Sequence, residues 1–367
     1  MFDTGDSASC CKYDYEAIRN IVKPCQIVLN DVHNNLEANC DQPIISTPRC
    51  KSDPTLTSNY SFSYAQTYLG TKSESTSTIS DCIIPVGLPN PHNHCYINSV
   101  LQIISRIFIH FTEEVHINNN EQGCLVKYLI DSIYSGSEKE LSQFKIRLTR
   151  FDSFFSGIFQ QDAYECLVRI FEIFHAGTRE CLLDGSAFLD DDQYIRSLTK
   201  RLFLFLYKRS LQCSKCRLIS MTYNESKIHF VYPNFDLELS NLIKDSLYTR
   251  LSKTCTGCHA YTEHEEFVTF EQSPEILVIL VNRFSQSTNN DKNRNRVWLS
   301  ESLVISTVGY HLIGSIHHHG NSISSGHYTS NIFYDNDAYV CNDMQVTPLN
   351  HLESSDSAYL VFYARDH

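Results

Sequence analysis

Long apolar runs are missing from this chain of 367 residues. The longest candidates, Ile276 to Val281 and Leu202 to Tyr207, are strand-sized, well short of the ~18 residues a membrane helix requires. Positive charge is also scarce. Thirty Lys and Arg stand against 42 Asp and Glu, for a formal net charge of −12. That balance argues against nucleic acid or an acidic membrane face as a partner, since both call for basic surface. The opening residues MFDTGDSASCC hold neither a basic n-region nor an apolar h-region, so no secretory signal is expected.

Cysteine is plentiful. There are 15, an odd number, in a chain too long to need disulfide staples. Four of them form two Cys-x-x-Cys pairs. Thiols used for chemistry and metal point to a reducing compartment, cytosol or nucleus. The 42% apolar content is globular, and the length suits one large domain or two of roughly 150 residues.

Residues 1–45 give a weak pattern, with Ile18, Ile21 and Val22 able to line a short helix. In residues 46–80, 16 of 35 positions are Ser or Thr, too little apolar surface to offset ordering entropy; a disordered linker is expected. The main domain is expected over 81–367. Its front half reads as helical: Ile97, Val100, Leu101, Ile104 and Phe108 recur at helical steps, as do Ala163, Leu167, Ile170, Phe171 and Phe174. Its back half reads as strands: the apolar run after Pro274, the partial alternation of Tyr310, Leu312 and Ile316, then His327–Tyr334 and Ala358–Tyr363. Helices first and strands later predict an α+β domain.

Cys95 stands where a polar loop gives way to an amphipathic helix. A thiol there meets unpaired amides and the positive end of the dipole, which favour thiolate and can hold an oxyanion. Asn90 or Asn93 can add a side-chain donor. On position alone a buried core cysteine is the commoner outcome. A base is then required, and His327 leads a predicted strand. Asp343, sixteen residues on, follows the short strand Ala338–Cys341, where neighbouring strands would set it beside His327 as the orienting carboxylate. Taken alone, Asp343 is a turn residue. Cys213 and Cys216, then Cys255 and Cys258, supply four thiolates in two knuckles 38 residues apart, the donor set of a closed structural zinc site. Asp162 and Glu165 lie three apart near a helix start. They suit capping, or an acidic face that receives a basic peptide.

The string GLPNPHNHCYINSVLQ resembles the cysteine box GLxNxGNTCYxNSxLQ of the ubiquitin-specific proteases. QQDAYECL is similar to their glutamine box, SPEILVILVNRF to their Arg-Phe strand, and YHLIGSIHHHGNSISSGHYTS to their histidine box. YVCNDMQV and AYLVFY resemble the closing elements, all in family order over roughly residues 85–365. The resemblance implies a papain-like cysteine protease with a helical thumb, a β-rich palm and a zinc-ribbon-like fingers insertion at about 205–272. It implies a thiol-dependent isopeptidase acting after the C-terminal glycine of ubiquitin. Cys95 would be the nucleophile, His327 the base, Asp343 its orienter and Asn90 the oxyanion donor. Asp162 and Glu165 would meet the arginines of ubiquitin's tail, and Phe284, Tyr328 and Tyr359 would line its channel. Ubiquitin and ubiquitinated proteins are the implied partners. One zinc on Cys213, Cys216, Cys255 and Cys258 is the implied cofactor, with none in the chemistry. The family's Gly-Asn-Thr is His92-Asn93-His94 here. That departure raises two alternatives: a ubiquitin-binding scaffold with impaired chemistry, and a metal gathered by His92, His94, Cys95 and His317 to His319. A protease for a ubiquitin-like modifier is the third.

Overall fold

The computed structural model describes residues 84–110, 117–178, 197–284, 292–322, 325–352 and 354–366. The chain divides into two units, Met1–Ser58 and Asn59–His367, and every described residue belongs to the second. The expected N-terminal segment 1–45 and Ser/Thr-rich linker 46–80 lie outside the described residues.

The front half is helical, as its periodicity predicts. The elements are α1 (Cys95–His110), α2 (Glu121–Ser135), α3 (Glu138–Phe151), α4 (Ala163–Gly177) and the short α5 (Leu198–Phe203). In α1 the residues Ile97, Val100, Leu101, Ile104, Ile107 and Phe108 are all at most 2% exposed. Each such burial contributes roughly 1.5–3 kcal/mol relative to exposure. That stabilises a helix whose first turn carries no acidic residue. The N-terminal amides of α1 therefore face no side-chain anion of that turn.

Strands follow: β1 (Phe205–Cys213), β2 (Ile219–Ser226), β3 (His229–Val231), β4 (Leu237–Glu238), β5 (Tyr248–Thr254), β6 (Tyr261–Gln272), β7 (Ile276–Val281), β8 (Val297–Trp298), β9 (Ser302–Ile305), β10 (Val308–Ser322), β11 (Ser325–Phe333), β12 (Ala338–Asn342), β13 (Gln345–Pro348) and β14 (Ala358–Arg365). A further helix, α6 (Leu239–Ser246), falls between β4 and β5. The large sheet runs β13-β12-β11-β10-β14-β7-β3, with β9 also on β10. Both of its faces are covered: α1 and α4 pack on one, while Leu239, Leu242 and Leu303 join a second core on the other. Burial on both sides explains why β7 is apolar at every position. It also explains why β10 departs from alternation, with Leu312 to His318 buried without a break.

A second sheet, β2-β1-β6-β5, carries the cysteine pairs. The interval 205–272 is not one continuous insertion. His229–Val231 leaves this sheet to pair in parallel with β7 in the large one, and α6 packs against that strand.

Candidate active site

Cys95 opens α1 and is 4% exposed. The loop before it is held at both edges. Gln102 Nε2 donates to Val86 O at 2.6 Å, Asn98 Nδ2 to Leu88 O at 3.2 Å, and Leu88 N to Asp343 O at 2.9 Å. On the other side Asn93 N donates to Gly157 O and Asn93 Nδ2 to Ile158 O. The His94 ring lies directly on Gly157. A β-carbon there would sit 2.0 Å from His94 Nε2, and Gly157 has φ of +72°, a left-handed backbone that suits glycine. His94 is buried, which lowers its pKa and keeps the ring neutral. His92 is exposed.

His327, on β11, faces Cys95. Its Nε2–H donates to Asn342 Oδ1 at 2.7 Å. The ring also shares a hydrogen bond with the Cys95 side chain, and Nδ1 is the nitrogen left for it. The Cys95 contact is the main reason that His327 is lifted to about 9, with Asn342 and Asp343 adding to it against the cost of burial. The sequence reading is corrected in one role here. Asp343 Oδ2 stands 3.9 Å from His327 Nε2, while the direct partner is Asn342. Asp343 instead accepts from Asn98 Nδ2 at 2.7 Å and Asn90 Nδ2 at 2.9 Å. It does so from a left-handed backbone, φ +50°, just past the end of β12. Asn90 Oδ1 accepts from His94 N at 2.8 Å, which fixes its amide sense. One N–H of Asn90 Nδ2 serves Asp343, and the second remains to meet an oxyanion.

Across the cleft, Gln160 grips the strand just before the base. Its Nε2 donates to Gly326 O at 2.5 Å and its Oε1 accepts from Gly326 N at 2.9 Å. Asp162 Oδ1 caps α4 through Tyr164 N, and its Oδ2 accepts from Tyr359 Oη, both at 2.7 Å. Burial raises its carboxyl to about 6. Glu165 is exposed and lies 3.4 Å from Arg169, so of the two expected acidic contacts it is the accessible one. Phe284, Tyr328 and Tyr359 come together as expected. Tyr328 and Tyr359, however, are only 1% and 3% exposed, with rings turned inward rather than along an open surface. The group they surround is His318, which the sequence offered only as part of a metal-gathering histidine run. Its ring lies 4.8 Å from Tyr328 and 5.4 Å from Phe284, fully buried, and burial lowers it to about 4. The run of three histidines disguised it.

The cysteine pairs converge at the tip of the smaller sheet. Cys213 Sγ is 3.9 Å from Cys258 Sγ, Cys216 Sγ is 3.6 Å from Cys255 Sγ, and all four sulfurs lie within 4.8 Å of one another. A tetrahedral zinc with Zn–S of about 2.3 Å needs sulfurs about 3.8 Å apart. The residue after each knuckle, Arg217 at φ +61° and His259 at φ +55°, is left-handed, and each donates its N–H back to the first cysteine's carbonyl. Amides of Cys258 and Gly257 aimed at Cys255 pull its thiol down to about 5. The set fits zinc. Among the described residues it is the only metal-ligand cluster; His92, His94 and His317 to His319 gather no such site with Cys95.

Similarity to known proteins follows the same lines. The family model "Ubiquitin carboxyl-terminal hydrolase" matches residues 86–363. Ubiquitin carboxyl-terminal hydrolase 23 of Arabidopsis thaliana is 23% identical over 343 residues, covering 81% of this chain and 37% of its own. Ubiquitin carboxyl-terminal hydrolase 2 of Homo sapiens is 25% identical over 336 residues, covering 76% and 54%. The chain thus spans about a third to a half of the length of these curated relatives. Among solved structures, the SAGA DUB module of Ubp8, Sgf11, Sus1 and Sgf73 bound to monoubiquitin matches with a TM-score of 0.64 at 18% identity, covering 83% of this chain and 74% of that one. With its matched residues running from the cysteine loop to the last strand, this chain belongs to the ubiquitin carboxyl-terminal hydrolase family.

Proposed function

We propose that the protein is a cysteine isopeptidase that releases ubiquitin from ubiquitinated proteins by cleaving after the modifier's C-terminal glycine. The observation that carries this reading is the convergence of Cys95, His327 and Asn342 beside Asn90. The sulfur of Cys95 attacks the glycine carbonyl carbon. The oxyanion forms against the α1 amides and the second N–H of Asn90. His327, protonated at neutral pH, gives its proton to the leaving lysine amine. A water then attacks the thioester, with His327 taking its proton, and the thiolate leaves. The matched module is bound to monoubiquitin, which supports ubiquitin as the partner. Glu165 offers the carboxylate for an arginine of its tail.

Four thiolates leave no open coordination position, so zinc on Cys213, Cys216, Cys255 and Cys258 would serve the fold of the smaller sheet and not the reaction. Cysteines committed to a thiolate zinc site and a nucleophile fit a reducing setting, cytosol or nucleus. Exposed His92, together with the intact amide pattern of Asn93 and His94, favours a working site over a scaffold. The test is release of a fluorophore from the ubiquitin C-terminus by wild type and Cys95→Ala. Turnover abolished by the substitution is expected. Equal rates would refute the reading.

A further inference from the structure

Lys145, on α3, is 4% exposed and makes no ion pair among the described residues. A buried ammonium without a carboxylate partner is costly unless its three donors are well used. Here Nζ donates to Pro89 O at 2.5 Å and Asn98 Oδ1 at 2.8 Å. Both acceptors belong to the scaffold of the oxyanion loop. An ammonium can only donate, so Asn98 must turn its oxygen toward Lys145. Its NH₂ group is then forced the other way, onto Asp343 Oδ1 at 2.7 Å. The second Asp343 oxygen takes Asn90 Nδ2, and Asn90 Oδ1 takes the His94 amide. The donor order therefore runs Lys145 to Asn98 to Asp343 from one end, and His94 N–H to Asn90 to Asp343 from the other. Every amide in this run has one permitted sense; at its end Lys145 holds the Asn98 oxygen while the Leu88 carbonyl takes an N–H at 3.2 Å. Without the ammonium, Asn98 Oδ1 and Pro89 O lose their buried donor, and the hold on the amide that anchors Asp343 is loosened.

We propose that Lys145 is a positioning residue for the oxyanion site, acting through Asn98 and Asp343 on Asn90 and, through Pro89, on the loop that carries Asn90. This inference rests on the hydrolase reading above. It touches no substrate atom and leaves the Cys95–His327 pair alone.

The test is a double-mutant cycle on the full, zinc-loaded chain with the ubiquitin fluorophore substrate: wild type, Lys145→Met, Asn90→Ala and the pair. In the wild-type background Asn90→Ala is expected to lower kcat by about 100-fold, as loss of an oxyanion donor does. Lys145→Met is expected to lower kcat about 10-fold with KM within twofold, and to cost less than twofold once Asn90 is gone. The rate of Cys95 alkylation by iodoacetamide, which needs no oxyanion donor, is expected to stay at the wild-type value in both single variants. Should Lys145→Met fail to melt cooperatively or to hold zinc, Lys145→Gln carries the same cycle. Wild-type kcat in the lysine variant, or the same fold-loss with and without Asn90, would overturn the role. A wild-type chain that turns over no substrate would instead overturn the hydrolase reading beneath it.

Discussion

Separate alanine substitutions at Asn342 and Asp343 would divide two jobs that adjacent residues perform. Asn342 gives His327 its 2.7 Å acceptor. A hydrogen bond to a charged group contributes about 1.5–3 kcal/mol, and 1.4 kcal/mol is tenfold in rate, so Asn342→Ala should cost about 10- to 100-fold in kcat/KM. It should also lower the pKa of His327 from about 9 toward the ordinary 6.5, since the Asn342 bond helps to hold the ring protonated. The alkaline limb of the rate profile, where imidazolium loses its proton, then moves to lower pH. The same contacts stabilise the folded chain fully below pH 6.5, and that contribution is lost as pH rises through about 9. Asp343→Ala acts elsewhere. It removes the acceptor of Asn98 and Asn90 and should cost up to about 100-fold in kcat through the oxyanion, no more than loss of Asn90 itself. Its alkaline limb should move less, because the carboxylate acts on His327 only through space at 3.9 Å. Steady-state rates from pH 5 to 10, with Cys95 alkylation measured alongside, decide it. A wild-type alkaline limb in Asn342→Ala together with a large shift in Asp343→Ala would refute the assignment.

Other outcomes follow from the same geometry. Metal analysis should find about one zinc per chain, lost in Cys213→Ser with Cys255→Ser, and exchange of amide hydrogens should then rise in β1, β2, β5 and β6 before it rises in β7 or β14. Gly157→Ala combines a left-handed backbone with a collision against His94; thermal melts should show a loss of about 1–3 kcal/mol, and retention of the wild-type melting temperature would contradict it. His92→Gly, at an exposed position, should leave kcat/KM within twofold. A large gain would mean that His92 obstructs the loop after all.

Much of this site was legible in the sequence because the signals are local. The helical spacing behind Cys95 and the two Cys-x-x-Cys pairs each point to one arrangement, and both are found. Asn342 was missed although strand parity contains it. Ser330 pairs with Cys341, and one step further places Asn342 across from Thr329, whose side chain shares a face with His327. The same alternation puts the adjacent Asp343 on the other face, and its left-handed backbone, which brings it to Asn90 and Asn98 at the turn, is invisible beforehand. The inward aromatics escaped for a different reason. Spacing says which residues share a strand, not what fills the space between sheet and helix, and here His318 fills it. Lys145 was hidden likewise, as a basic residue on a helix that ordinarily faces water.

The most direct measurement uses ubiquitin bearing a C-terminal electrophile, with the modified residue located by peptide mass spectrometry. One adduct per chain at Cys95, absent in Cys95→Ala, is the predicted result. Ubiquitin that binds the folded chain yet leaves Cys95 unmodified would contradict the account.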